Sequence, residues 1–521
     1  MLASGAGRRL TKTSIPKLSD ARRNYAQFCR QMSQFHIEEV MQTVHDLSTF
    51  YHLDDVPKTF PGFPSKRVRR KQNKLSYMPY PWELEMFLRE AIRHSGYLAH
   101  KPFREWGSIS NLTNLLRKFT NELTPEYSDY GVDVLRELQR IAHRQFPWQV
   151  EFNHPLIARH WKIYSDKRLE LFIQEDFGCS ANEFYVTCFA LLSTWANYTA
   201  IKIPLEISDL KIDSKVINKI SMMFSSAISH SRQEINSIHN FDANYEYRYS
   251  PLLLRPLLFS ELLGRRLFCP IPYLFLKRMT DGLYYQFVGR IGFSDAIGGA
   301  FESYVGEVIS AVLPHADRTP EKRIKKTGGE FRTVDWLVEH EGCTLFVECK
   351  SKQPTYNAKF DINKTDSLEV DLEKIGTEIG KMYVNLNRYL NGEYPNMTPL
   401  GNVYPIFVTL ADWSIYHIRT NLNPDQFVRA YLRKRGVDPE IMKSFPVEVC
   451  GAEVFEMLLQ SIASHGANEV LGKRARGHRR SDFLDAYLTS EFPVNTEPVW
   501  NAEWMATLHE FIDQNKDSDA V

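Results

Sequence analysis

The chain has 521 residues, 43% of them hydrophobic and 13% aromatic, which is enough for substantial buried cores and about three domains. Its 64 basic and 63 acidic residues give a formal net charge of +1, which excludes a strong overall attraction to nucleic acid. Any contact with DNA or RNA must therefore come from local patches.

The sequence predicts a cytoplasmic protein that does not contact a membrane. Residues 1–17 are basic but lack the apolar core of a signal peptide, so a solvated terminus is favoured over an organellar transit peptide. Seven cysteines are scattered without a C-x-x-C pair, which is typical of reduced thiols. The longest uncharged run, 184–201, is interrupted by polar residues and predicts a buried helix.

Residues 1–290 are predicted to form a mostly helical region that recognises or regulates. The basic, Pro-flanked segment near 57–75 predicts a boundary between two subdomains. Apolar runs broken by proline at 245–254 and 270–276 predict a packed junction with the next domain. Their aromatic residues are expected in the core rather than as platforms for stacked bases.

Residues 291–470 are predicted to form an α+β or α/β domain that follows this helical region. Apolar spacing predicts two long helices, and apolar runs bounded by turn signals predict strands. In chain order, the predicted elements are a helix at 295–313, strands at 322–327, 334–338 and 346–350, a helix at 368–390, a strand at 403–410, and a strand and helix within 446–464.

Three charged residues interrupt the two central strands: Asp335, Glu348 and Lys350. Side chains alternate along a strand, so Glu348 and Lys350 share one face, while Val347 and Cys349 share the other. The short connection 339–342 contains glycine and predicts a hairpin that places Asp335 beside Glu348. Two adjacent carboxylates repel unless a cation lies between them, and oxygen ligands favour Mg²⁺ or Mn²⁺. A hydrolytic metal site is the hypothesis that follows.

Asp335 followed by Glu348-Cys349-Lys350, with Glu302 on the upstream helix, resembles the PD-(D/E)xK nuclease superfamily, whose fold is restriction-endonuclease-like. The resemblance implies a core of order αβββαβ within 291–470. The chain departs from the family pattern at the residue before Asp335, where the family's name expects proline and this chain has valine.

The resemblance also implies roles for individual residues in a Mg²⁺-dependent endonuclease. Asp335, Glu348 and the backbone carbonyl of Cys349 would bind the metal, Lys350 would orient or activate the attacking water, and Glu302 would be an auxiliary acid. The alternative is that Glu348 and Lys350 form only a cross-strand ion pair at a solvated edge.

Two basic clusters could neutralise phosphates without reading a base sequence. One contains Lys66, Arg67, Arg69 and Arg70; the other lies in a basic, helical tail predicted over 471–521 and contains Lys473, Arg474, Arg476, Arg479 and Arg480. The alternative for each is a solvated loop.

The resemblance implies a metal-dependent nuclease, and DNA is favoured over RNA as the expected substrate. The architecture is analogous to that of bacterial defence proteins that degrade phage or foreign DNA. The alternative is a nucleic-acid-binding or partner-sensing protein with an inactive nuclease-like scaffold. A homodimer and a protein or phage-derived activator are the other candidate partners.

Overall fold

The structure is a computed structural model in which helices predominate, and the strands of its described residues form three separate sheets. The structure describes residues 18–53, 60–63, 78–99, 101–123, 132–148, 154–205, 207, 210–326, 329–361, 365–413, 424–480, 482–494 and 498–512. The basic cluster Lys66, Arg67, Arg69 and Arg70 lies outside these residues, as does most of the boundary predicted near 57–75.

The first part of the chain is mainly helical, as predicted. Its helices are α1 (Leu18–Met32), α2 (Ile37–Leu53), α3 (Pro81–His94), α4 (Trp106–Leu123), α5 (Val132–Gln145), α6 (His154–Tyr164), α7 (Lys167–Phe177), α8 (Ala181–Asn197), α9 (Ser214–Met223), α10 (Ile228–Ile238), α11 (Pro272–Met279) and α12 (Asp281–Phe287). A small sheet of order β1-β4-β3-β2 joins them, from strands β1 (Ala200–Lys202), β2 (Ser225–Ala227), β3 (Leu257–Ser260) and β4 (Arg266–Phe268).

The second part of the chain builds the main sheet and the helices that cover it. Its strands are β5 (Asp317–Pro320), β6 (Arg323–Lys326), β7 (Gly329–Arg332), β8 (Trp336–His340), β9 (Cys343–Lys350), β10 (Asn402–Thr409) and β11 (Glu448–Gly451). Its helices are α13 (Phe293–Val312), α14 (Tyr356–Phe360), α15 (Thr365–Leu390), α16 (Asp425–Lys434), α17 (Ile441–Ser444), α18 (Ala452–His465), α19 (Ala467–Ala475), α20 (Leu484–Glu491) and α21 (Asn501–Phe511).

The main sheet has the strand order β11-β10-β9-β8-β5. Strands β5, β8 and β9 pair in antiparallel fashion, whereas β9, β10 and β11 are parallel. Parallel neighbours require a crossover connection, and the helix α15 lies in the connection between β9 and β10. This part of the fold is therefore a mixed α/β sheet within an α+β chain.

Alternation along β9 divides the apolar residues between two cores. Leu345 and Val347 belong to a large core that also includes residues of α13, α18 and the N-terminal helices. Phe346 belongs to a second core with apolar residues of α15 and α16. Glu348 follows Phe346 at the spacing of two, so its side chain leaves the sheet on the α15 side.

The expected first strand is wrong in its position. The segment predicted at 322–327 contains β6, but β6 pairs only with β7, in a separate two-stranded sheet. The strand that pairs with β8 is β5, at the edge of the main sheet. Its sequence Asp-Arg-Thr-Pro has no apolar alternation, because an edge strand is paired on one side only and can remain polar.

The other elements predicted for this region are present, and the α+β class is confirmed. None of the helices in the described ranges is both long and apolar enough to cross a membrane. The domain limits 1–290, 291–470 and 471–521 stay predictions.

Candidate active site

A two-residue turn aligns the strands that carry the predicted acids. Glu341 and Gly342 have φ angles of 46° and 72°, so both adopt the left-handed conformation that tight hairpins require. The register pairs Trp336 with Val347, so Asp335, one residue before β8, lies at the level of Glu348. The hairpin therefore brings the two carboxylates together, as predicted.

The ammonium of Lys350 contacts three oxygen atoms at once. Its Nζ lies 2.5 Å from Oε1 of Glu348 and 2.9 Å from the backbone oxygen of Cys349. Oδ2 of Asp335 is 3.6 Å away. A cation thus occupies the point where two carboxylates and one carbonyl converge.

Both carboxylates are buried: Asp335 is 7% exposed and Glu348 is 8% exposed. Burial raises the pKa of each carboxyl, and the neighbouring Asp335 charge raises the pKa of Glu348 further. The Lys350 ammonium opposes both shifts. Each carboxylate is therefore costly to ionise unless a cation lies beside it.

The predicted auxiliary acid, Glu302, reaches the same site from α13. Burial and then the Asp335 charge raise the pKa of Glu302 to about 7. The indole Nε1 of Trp336 donates a hydrogen bond of 3.0 Å to the backbone oxygen of Glu302, which fixes this turn of α13 against β8. A side chain at Gly306, one turn later, would overlap the Trp336 ring, since its Cβ would lie 2.1 Å from Cζ2.

Two further acids near the site carried no signal in the sequence. Burial raises the pKa of Glu321, which lies between β5 and β6 and is ion-paired with Arg332 at 3.2 Å. Glu378 on α15 also contributes to the raised pKa of Glu348, although it is itself paired with Lys352 and Lys381. Neither interrupts an apolar strand, which was the feature that identified Asp335 and Glu348.

The donor set suits a hard divalent cation. Asp335, Glu348 and the Cys349 carbonyl offer only oxygen, the ligand type that Mg²⁺ and Mn²⁺ prefer. For a metal to bind these oxygens, the Lys350 ammonium must withdraw from them, which would leave it beside the metal as a second positive group.

No protein-family model and no curated protein matches this chain.

The C-terminal basic cluster is largely engaged within the protein. The prediction that Arg474 contacts phosphate is wrong. Arg474 is 1% exposed, and its guanidinium donates hydrogen bonds to Glu448 at 3.0 Å and to two backbone oxygens. Lys473 pairs with Glu469, and Arg479 pairs with Asp482 and Glu491.

Arg476 is exposed, and Arg480 is partly buried. No ion pair with a carboxylate is found for either of them among the described residues. These two arginines therefore keep the prediction of phosphate contact.

A different cluster has the composition of a metal site but the bonding of a polar network. Within the described ranges, the ligand atoms of Cys29, Glu90 and His94 lie within 4.8 Å of one another. However, the Glu90 carboxylate already accepts hydrogen bonds of 2.8 Å from Tyr25 and Tyr245, and one from Arg93. Its charge is neutralised and its oxygens are committed, so the site at Asp335 is the better candidate for a metal.

Proposed function

We propose that the chain is a metal-dependent nuclease that hydrolyses phosphodiester bonds, with DNA favoured over RNA as its substrate. The observation that carries this proposal is the convergence of Asp335, Glu348 and the Cys349 carbonyl on one cation-binding point. The order of the main-sheet strands and long helices along the chain, α13, β5, β8, β9, α15 and β10, also supports the proposal, since it follows the αβββαβ order that the resemblance implies. Defence against phage or foreign DNA is the role proposed with this chemistry.

In this proposal, Mg²⁺ or Mn²⁺ would be held by the two carboxylates and the carbonyl, and would supply Lewis acidity and an activated water. Lys350 would stabilise the negative charge that develops on the phosphate oxygens. Glu302, with its pKa raised to about 7, would accept or hold a proton at the edge of the site near neutral pH.

The test uses purified protein with supercoiled plasmid, linear duplex, single-stranded DNA and RNA, each with Mg²⁺, Mn²⁺ or EDTA. Asp335→Asn removes one charge and preserves the side-chain shape, so cleavage should fall by roughly a hundredfold or more. Glu339→Gln is the matched control, because it neutralises a partly exposed carboxylate at the opposite end of β8. Metal-dependent cleavage that survives Asp335→Asn would refute the assignment.

The alternative function is nucleic-acid binding or partner sensing by an inactive scaffold, and one contact favours it. Lys350 lies 2.5 Å from Glu348 and already compensates one of the two carboxylate charges, so the folded site holds a cation of its own without a metal. This alternative predicts binding of nucleic acid that is unchanged by EDTA and by Asp335→Asn. Gel-shift measurements on the same four substrates distinguish the two functions, and light scattering on the same samples tests the predicted homodimer.

A further inference from the structure

A cavity of about 480 Å³ lies between the helical region and the helix that follows β9. Its wall includes Trp82 at the start of α3, Arg144 near the end of α5, Lys277 on α11, Asp281 at the start of α12, and Lys359 on α14. This volume is within the range of pockets that hold small-molecule ligands. The cavity is separate from the carboxylate site, since neither Asp335 nor Glu348 lines it.

Aromatic rings make up much of the cavity wall. They are Trp82, Trp148, Tyr247, Tyr249, Tyr273, Tyr285, Tyr356 and Phe360. Tyr249 and Tyr285 are 40% and 47% exposed, so parts of this surface are accessible rather than packed in a closed core. Tyr249 meets Tyr356 edge to face, with ring centroids 5.5 Å apart. Such a wall can receive a planar ring by stacking, in the way that aromatic platforms hold nucleobases.

The charged residues of the wall carry an excess of positive charge. Four cations, Arg144, Arg248, Lys277 and Lys359, face two acids, Glu85 and Asp281. Arg248 is paired with an aspartate outside the cavity, Asp242, at 2.8 Å. Lys277 is paired with Asp281 at 2.8 Å, and Arg144 lies 3.8 Å from Glu85.

The fourth cation, Lys359, makes no side-chain hydrogen bond or ion pair with the described residues. Burial lowers the pKa of Lys359 to about 8. The charge of Asp281, and to a smaller extent those of Asp371 and Asp412, opposes this shift without cancelling it, so the ammonium is only partly compensated. An anionic group placed beside it would stabilise the ammonium form.

Several polar atoms on the wall are also buried without a hydrogen-bond partner in the described part of the chain. They are Glu85 Oε1, Arg144 Nε, Arg248 Nε and Ser250 Oγ. Unsatisfied buried groups of this kind are uncommon and favour a polar ligand or ordered water at the site.

From these contacts we infer that the cavity is a nucleotide-binding site, with the base stacked on the aromatic wall and a phosphate beside Lys359. A planar ring and a negative charge in one small molecule are the features that this wall complements. The inference does not depend on the nuclease proposal, because it concerns other residues and a ligand that need not be cleaved. The cavity and the carboxylate site are nevertheless close in sequence, since α14, which carries Lys359, begins six residues after Lys350.

The test measures binding of nucleoside monophosphates to the full chain by calorimetry and by quenching of tryptophan fluorescence. AMP, GMP, CMP and UMP are compared with the matching nucleosides and with inorganic phosphate. Lys359→Gln should weaken binding of the preferred monophosphate by roughly tenfold or more, and leave its nucleoside unchanged, because only the phosphate loses a charged partner. Lys359→Arg should retain binding.

Two further variants make the result specific. Tyr285→Ala removes a partly exposed ring and should weaken both the monophosphate and the nucleoside. Lys434→Gln removes an exposed lysine at the end of α16 and should change neither. The inference is overturned if no monophosphate binds, if phosphate alone binds as tightly as the monophosphate, or if Lys359→Gln leaves the preference for the phosphorylated form intact.

Discussion

The backbone N–H of Cys349 donates a hydrogen bond of 2.7 Å to Oδ2 of Asp335. One candidate metal ligand, Asp335, is therefore fixed to the backbone of the strand that carries the other, Glu348. Orientation by the backbone is a stronger constraint than orientation by a flexible side chain, and it is the kind of preorganisation that a catalytic site requires.

Replacing Lys350 by glutamine should destabilise the metal-free protein and increase its response to metal. Without the ammonium, Asp335 and Glu348 face each other without a cation, which should cost about 1–3 kcal/mol of unfolding free energy at neutral pH. Mg²⁺ should restore part of this loss, because it binds the folded state only. Urea unfolding in EDTA and in Mg²⁺ measures both effects.

Lys352→Gln is the control for this experiment. Lys352 lies on the same segment and pairs with Glu378 at 3.1 Å, but its side chain is 52% exposed. Its removal should change stability by only a few tenths of a kcal/mol. Equal stability of wild type and Lys350→Gln in EDTA would show that the ammonium does not compensate the two acids.

Gly306→Ala should separate α13 from β8. The new methyl group would overlap the ring of Trp336, so the helix must shift, at a cost of about 1–3 kcal/mol. Because Trp336 anchors Glu302 through its backbone oxygen, cleavage should fall as well. Gly298→Ala in the same helix is the control, since its Cβ would meet nothing within 4 Å. Thermal melting and cleavage rates of both variants test this, and equal behaviour would contradict it.

Arg474 and Arg476 should behave oppositely when each is changed to glutamine. Arg474→Gln leaves the 8%-exposed carboxylate of Glu448 without its partner and should destabilise the fold by about 3 kcal/mol. Arg476→Gln should leave stability unchanged. It should weaken DNA binding, and the affinity of the variant should depend less on salt concentration than that of wild type. Denaturation curves and binding at two salt concentrations would reveal a failure of either expectation.

Acid should destabilise the protein partly through His239. Burial and the nearby Arg93 lower the pKa of His239 to about 4, so the folded protein disfavours its protonated form. The unfolded chain binds that proton near pH 6.5, so stability is lost as the pH falls from about 6.5 to about 4. The full shift corresponds to roughly 3 kcal/mol, and solvent screening at this partly exposed side chain reduces the expected loss to about 1 kcal/mol. His239→Gln should lose less stability than wild type over this interval. Parallel unfolding curves at each pH measure the difference, and identical losses would exclude His239 as a contributor.

The sequence was most informative where charge interrupted an apolar strand. Asp335, Glu348 and Lys350 could be placed on one face because strand alternation is local, and the hairpin followed from a short connection containing glycine. The long helix α15 and the buried strand β10 were likewise visible as patterns of apolar spacing.

Features that depend on tertiary position were not predictable in this way. The edge strand β5 is too polar and too short to show an apolar period. The sequence does not distinguish Arg474 from a surface arginine, because its pairing with Glu448 is a tertiary contact. Tyr247 and Tyr273 are buried, as expected for a packed junction, whereas Tyr249 is 40% exposed; that all three also line a cavity was not visible in the sequence. Each depends on contacts between segments that are far apart in sequence.

The large apolar core runs without interruption from Phe28 in α1, through Phe301 in α13, to Val347 in the strand that carries Glu348. Continuity of this kind makes unfolding cooperative, because exposing one part of the core removes packing partners from the rest. The strand that carries Glu348 therefore shares its stability with the N-terminal helices. A change deep in the N-terminal helices can reach the candidate site through loss of shared stability, without touching a single one of its residues.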